Sequence, residues 1–352
     1  MDFTFTEEQQ MMAAALRELT ADLCAPPVLR ALFDGEDAGA GERWQRLAEL
    51  GLFGVRAPTA SGGLGLEDAD FVLLAEEAGR AALPEPLCEQ AAVAVPALAE
   101  LADVPAAAAL LPLAASGEAR IGLAHPQNPL VSVPPGLSHW LLCTPQAIVL
   151  APVGAVTAPQ RASVDAGRRL LEPDLAAATG VRLASGARAA AVAARVLNRG
   201  SVFGAAQCLG LTERMLALAA DYARERVQFG KPIGSYQAVK HQLASVAVKL
   251  EFARPVVYAA VTRLAGLDAR TDACASHAKL AAGDAADLAA RTAIQVHGAM
   301  GYSWELDLHF FMKRAWALAG AFGERSFHAR RLQSLVCAQL ALGPDQTFAA
   351  SG

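Results

Sequence analysis

The sequence predicts a mostly α-helical protein interrupted by one small β domain. Three observations point there. Apolar residues near both ends of the chain recur at steps of three and four, the period of a helix face. Between them, prolines fall at 126, 129, 134, 135, 145, 152, 159 and 173, with short apolar runs in the gaps. The chain is 54% hydrophobic but only 6% aromatic, and its abundant alanine suits closely packed helices better than sheets. A chain of 352 residues exceeds what one core usually serves, so several domains are expected. The divisions fall at 1–117, 118–200 and 201–352.

Residues 1–117 read as helices. Thr6, Glu7, Glu8 and Gln9 have the pattern of a capping box with acids in the first turn. Met12, Leu16, Leu19 and Leu23 follow at helical spacing. A second helix near Trp44–Leu50 stops at Gly51. Pro58 to Gly65, with one proline and three glycines, is a loop. Helical periodicity resumes over Asp68–Arg80, and the Pro-Glu-Pro run at 84–86 ends it. In the middle segment, ARIGLA, HWLLC, AIVLAPV and VRLAS look like strands between turns. Ala187–Leu197 fits a last strand or the start of a helix. Beyond residue 200, Cys208, Leu211, Met215, Leu218 and Tyr222 form one helical seam. Tyr236, Val239, Leu243, Val246 and Leu250 form another. Further helices cover about 270–297 and 316–341, and such seams suit a bundle of antiparallel helices.

Composition argues against several functions. A net charge of −5 and a pI near 5.8 are unlike a generic nucleic-acid binder. The six cysteines form no C-x-x-C pair, which leaves zinc and dithiol sites unsupported and fits reduced thiols in the cytoplasm. The start carries Asp2, Glu7 and Glu8 where a basic leader would sit. The apolar stretches 87–115 and 183–197 are interrupted by charges and prolines, so neither reads as a membrane span.

Two C-terminal segments carry the chemistry. In YARERVQFGKPIGSYQAVKHQLA (222–244), Arg226 stands at a helix end before Phe229 and Gly230. An arginine there can clamp a pyrophosphate through paired hydrogen bonds, and a phenylalanine offers a ring face to an adenine. Helix C-capping is the plainer role for Arg226. In QVHGAMGYSWELDLHFFMKRA (295–315), two glycines follow Gln295 within seven residues; such glycines end helices and let backbone approach a ligand. Together with FTEEQ, LAELGLFGVRAP, SGGLG and VLLAEEAGR upstream, these segments resemble the acyl-CoA dehydrogenase family over nearly the whole chain.

The resemblance implies an N-terminal helical domain, a β-barrel-like middle domain and a C-terminal four-helix bundle. It implies FAD as cofactor and α,β-dehydrogenation of an acyl-CoA thioester, with electron-transfer flavoprotein as acceptor. Arg226, Gln228 and Phe229 are then expected on the pyrophosphate and adenine of a neighbouring subunit's FAD. Gln295, Val296, His297, Gly298 and Ala299 line the dinucleotide, and Gln237 lies along the cofactor. No metal is implied, and the polar run Trp304–His309 is expected to fix a loop between helices.

The reaction needs a carboxylate base near the substrate Cα. The family places a glutamate at one of two positions, which correspond here to Gly200 and Phe322. Neither is an acid. Glu324, two residues past Phe322, is the remaining candidate, with a surface role as the simpler account. The family's flavin-holding loop is replaced by GLAHPQNPL (122–130), and HWLLC (139–143) stands where a second flavin segment would be. Such a chain resembles the degenerate partner in heteromeric members, which act on bulky thioesters such as sterol side chains; a homo- or hetero-tetramer with another acyl-CoA dehydrogenase subunit is the assembly that the resemblance implies. A same-fold flavoprotein with other chemistry, or a helical scaffold without FAD, are the competing readings.

Overall fold

A computed structural model describes residues 4–36, 39–176 and 179–340. Asp2 and residue 341, the expected end of the last helix, lie outside the described residues. The capping box forms at the head of helix α1 (Glu7–Leu23): Thr6 Oγ1 accepts from Gln9 N–H at 3.2 Å, and Gln9 Oε1 accepts from Thr6 N–H at 2.8 Å. Helix α2 (Pro26–Phe33) starts on prolines, whose missing N–H is no loss in a first turn. Helix α3 (Ala40–Glu49) ends before Gly51, which takes φ +73°. Helix α4 (Asp68–Arg80) has the expected bounds.

The apolar stretch 87–115 folds into three short pieces: a π-helical turn at Glu89–Ala94, helix α5 (Val95–Ala99) and helix α6 (Pro105–Ser116). No helix among the described residues is long and apolar enough to cross a membrane.

The middle segment forms two small sheets. Strands β1 (Ile121–Ala124), β3 (His139–Cys143), β4 (Ala147–Pro152) and β7 (Val181–Ser185) make a four-stranded sheet in the order β1-β3-β4-β7. Strands β2 (Val131–Ser132), β5 (Gln160–Arg161) and β6 (Leu170–Leu171) make the other, ordered β2-β6-β5. Val131, Trp140, Leu142 and Ala151 share a core cluster, so both sheets close over one small apolar interior.

Ala187–Leu197 is helix. It belongs to α7 (Gly186–Glu225), a single helix of 40 residues. The expected division at 200/201 therefore falls inside a helix. Glycine lets α7 approach α4 at backbone distance: a Cβ on Gly79 would strike the Gln207 carbonyl, and one on Gly210 the Glu76 carbonyl. A hairpin of β8 (Val227–Gln228) and β9 (Lys231–Pro232) follows, then α8 (Gln237–Val261) and α9 (Ala269–His297). Asp268 caps α9 by accepting from Thr271 N–H at 2.7 Å. The α9 seam is alanine at 275, 278, 282, 285, 286, 289, 290 and 293, all buried.

The single helix expected over 316–341 is instead two, α10 (Leu308–Gly320) and α11 (Arg325–Leu340). Phe322 at φ +54° and Gly323 at φ +104° leave the right-handed region, so no helix can run through them.

Candidate active site

The Phe-Gly turn of the β8–β9 hairpin has both residues in the left-handed region, Phe229 at φ +53° and Gly230 at φ +81°. That pairing matches the twist of a two-residue hairpin. The Phe229 ring is 93% exposed. Tyr236 braces the turn, donating from its hydroxyl to the Gln228 carbonyl at 3.2 Å with its ring under Lys231 Nζ. Arg226 ends α7 with its own N–H on the Tyr222 carbonyl. Its exposed guanidinium makes no hydrogen bond or ion pair with any described residue, whereas nearby Arg224 is paired with Asp221. Helix capping by the side chain therefore does not occupy Arg226.

The second segment comes to the same place. A groove of about 310 Å³ is lined by Gln228, Phe229, Tyr236, Gln242, Gln295 and Val296, among others. Tyr222 stacks on His297 at 4.3 Å between ring centroids, which ties the end of α7 to the end of α9. His297 is buried, and its Nδ1 lies 2.7 Å from the Ala293 carbonyl. Burial lowers its pKa. Its ring is thus a packing element, while the exposed parts of the segment are Gln295, Gly298 and Ala299. Gly298 has φ +61° and ψ −137°, a conformation close to glycine's own territory. Gln237 is exposed at the head of α8 and is not part of the groove; Gln242, one and a half turns on, is. Sequence reasoning missed Gln242 because the α8 seam repeats every three or four residues and Gln242 sits on its polar flank.

Gly200 and Phe322, 122 positions apart in sequence, meet in space. A Cβ on Gly200 would fall inside the Phe322 ring. The ring is 3% exposed and belongs to a cluster with Val196, Leu197 and Ala321. The Phe322 backbone is held from three sides. Its carbonyl accepts from Ser201 Oγ at 3.2 Å and faces His328 Nε2 at 3.0 Å. Its N–H donates to Asn128 Oδ1 at 3.3 Å. Glu324 stands at the mouth of α11, exposed, with its carboxylate taking the Ser326 hydroxyl. The volume that an acid at either position would enter is filled by an aromatic ring.

Two backbone donors of the 122–130 loop are spent within it. Asn128 N–H donates to the His125 carbonyl at 2.7 Å, and Gln127 N–H to His125 Nδ1 at 3.0 Å. In HWLLC, Trp140 is buried with its ring over Gly122, where a Cβ would strike it. Trp304–His309 packs the approach to α10: Lys313 Nζ lies 3.8 Å from the Trp304 ring centroid, Asp307 pairs with Arg30 at 2.8 Å, and His309 contacts Phe33 and Phe310.

A helical chain with a small β insert, and with an open groove beside an unpaired arginine at the end of its longest helix, has the form of a flavoprotein oxidoreductase. Known proteins agree. Residues 6–118 match the family described as acyl-CoA dehydrogenase, N-terminal domain, and residues 186–334 its C-terminal domain. The acyl-CoA dehydrogenase IpdE2 of Mycobacterium tuberculosis is 32% identical over 94% of this chain and 98% of its own length. FadE34 of the same organism is also 32% identical over 94% of this chain, which spans 48% of FadE34. Among solved structures, the ChsE4-ChsE5 complex from Mycobacterium tuberculosis superposes with a TM-score of 0.83 at 25% identity, covering 98% of this chain and 100% of that one. The Tcur3481-Tcur3483 steroid ACAD gives 0.83 at 25% identity over 95% and 99%. The chain belongs to the acyl-CoA dehydrogenase family. Its cofactor is FAD, and its class of reaction is the dehydrogenation of acyl-CoA thioesters.

Proposed function

We propose that this chain is the partner subunit of a heteromeric acyl-CoA dehydrogenase: it holds the far end of an FAD whose reacting end faces a base on another chain. The observation that carries this is the Phe322 ring seated on Gly200, at both positions where a glutamate is expected.

The residues fit FAD unequally. Arg226, Gln228, Phe229, Gln295 and the backbone from Val296 to Ala299 would hold its dinucleotide part, with Gln237 and Gln242 flanking. Arg226 is free for a bidentate pyrophosphate contact, and the Phe229 ring is open for stacking. The 122–130 loop does not fit in the same way, because its Gln127 and Asn128 N–H groups are turned inward on His125 and Asn128 Oδ1 is held by Phe322 N–H. When bound, FAD accepts the substrate's hydride. This chain's contribution is then to bind and orient, and the proton at Cα leaves to a carboxylate that the partner supplies.

Two further points support pairing. Both structural relatives named above are described as two-component assemblies. This chain also spans about half of FadE34, leaving room there for a second unit of similar length. We take a bulky CoA thioester such as a sterol side chain as the substrate class, a hetero-tetramer as the assembly, and electron-transfer flavoprotein as acceptor. Six unbonded thiols, four of them buried, suit the cytoplasm.

Visible spectra of the chain, purified alone and co-expressed with a family member that keeps its glutamate, test this. The pair should carry flavin that bleaches anaerobically with acyl-CoA, and the single chain should be nearly colourless. A single chain that held a full complement of FAD and bleached with substrate would overturn the reading.

A further inference from the structure

A cleft of about 280 Å³ opens where α1, α4, α7 and α10 meet. Arg17, Arg80 and Arg214 line it with a single carboxylate, Glu77. It shares no residue with the groove around Phe229.

The one carboxylate is already taken. Arg17 donates to both Glu77 oxygens, from Nε at 2.9 Å. Arg80 lies 3.8 Å from Glu77 and 3.9 Å from Glu213, both beyond hydrogen-bonding reach. Glu213 is itself taken by Arg254 at 2.7 Å. The Arg80 Nε is buried and has no hydrogen-bond partner among the described residues. Arg214 makes no hydrogen bond or ion pair with any described residue; its guanidinium lies over the Phe311 ring, 5.4 Å from the centroid. The acids whose charge reaches Arg214, Asp221 and Asp307, are paired with Arg224 at 2.5 Å and Arg30 at 2.8 Å.

The fold forces the two open arginines together. Gly210 brings α7 onto α4 so closely that a Cβ there would lie 2.7 Å from the Arg80 backbone nitrogen, and Arg214 follows Gly210 by one turn. Burial, then the charge of Arg80, hold Arg214 below the usual arginine pKa. An aromatic ring engages the flat face of a guanidinium and leaves its N–H edge free. Two like charges with unmade donors, side by side at open volume, are costly alone and are stabilised by an anion between them.

We propose that this cleft binds a phosphate group, free or as a small monoester, between Arg80 and Arg214. A tetrahedral dianion offers acceptors to two guanidinium forks at once. A halide would offer neither the second charge nor the geometry. Since a water's share of liquid volume is about 30 Å³, the cleft has room for a phosphate and a small organic group against Ala81 and Phe311. The inference rests on neither the pairing of this chain with another nor its flavin.

Calorimetric titration of the full chain with inorganic phosphate, phenyl phosphate and chloride tests it, at constant ionic strength and about pH 8, where both phosphates are mostly dianions. Each phosphate should bind at least about tenfold more tightly than chloride. Tighter binding of phenyl phosphate assigns the site to an ester, and binding no tighter than inorganic phosphate assigns it to the free ion. Arg214→Met should weaken phosphate about tenfold or more. Ala21→Glu, which sets a carboxylate in the cleft and keeps every arginine, should do the same and decides the matter if Arg214→Met does not fold. Arg226→Met should leave phosphate binding here unchanged. Phosphate no tighter than chloride, affinity unchanged in Arg214→Met or Ala21→Glu, or affinity lost with Arg226→Met instead, would overturn the proposal.

Discussion

The dipeptide Phe-Gly occupies left-handed backbone twice in this chain, and the two instances have opposite fates. At Phe229–Gly230, φ is +53° and +81°, and at Phe322–Gly323 it is +54° and +104°. A non-glycine residue in that region costs roughly 1–2 kcal/mol, so each turn is held there by something. At Phe229 the ring is thrown into solvent beside an unpaired arginine. At Phe322 the ring is driven into the core, onto Gly200, and its backbone is pinned by Ser201, His328 and Asn128. The same local strain turns a ring out to solvent in one place and seats one in the core in the other. What differs is whether the surroundings leave donors free or use them.

The largest effect should come from the closed turn. Phe322→Ala is expected to cost about 3–5 kcal/mol in equilibrium denaturation, as for other buried aromatics, with no change in flavin retained by the assembled complex. Loss of flavin with the same variant would break the separation drawn between the two turns.

Gly200→Ala should cost about 1–3 kcal/mol by overpacking the ring, and that cost should shrink in the Phe322→Ala background. A double-mutant cycle measures the coupling; strict additivity would mean that the two positions do not press on each other.

At the open turn the sign is reversed: little stability, much binding. Arg226→Met should leave denaturation within about 0.5 kcal/mol of the parent and lower FAD affinity of the complex about 10–100-fold, the worth of one or two charge-assisted bonds. Arg226→Lys should recover only part of it, since an ammonium cannot match the fork. Phe229→Gly should stabilise the chain by up to about 1 kcal/mol through relief of the positive φ, while weakening flavin retention. A variant that gained stability and kept its flavin would show that the ring has no part in binding.

The smallest effect is the closed turn's share of a pH dependence. Burial first, then the charge of Lys279, hold His328 down to about 4 from an ordinary 6.5. The unfolded chain therefore takes up the proton first. Stability from this group is complete above about pH 6.5 and is lost as pH falls towards 4. His328→Gln should remove one share of that slope, His125 and His309, also held down to about 4, keeping theirs, and leave the region above pH 7 unchanged.

Most of the helical framework was legible because its signal is local. The capping box at Thr6, the α4 bounds and the seams through Cys208 and Tyr236 are spacings within one element. The two segments at 222–244 and 295–315 were legible as one family's motifs, although their convergence on one groove was not. What escaped is long-range. Nothing in the spacing says that Gly200 receives the ring of Phe322, and the break of the last helix was hidden because glycine at 323 reads equally as a weak helical residue or a stop.

Helix α7 runs unbroken from Gly186 to Glu225, so at about 1.5 Å per residue Gly200 and the Arg226 that follows it stand some 40 Å apart on one rod. Substitutions so far apart, with no shared partner, are expected to act additively. A rod of that length lets the Gly200 end change its packing while the Arg226 end keeps its own shape.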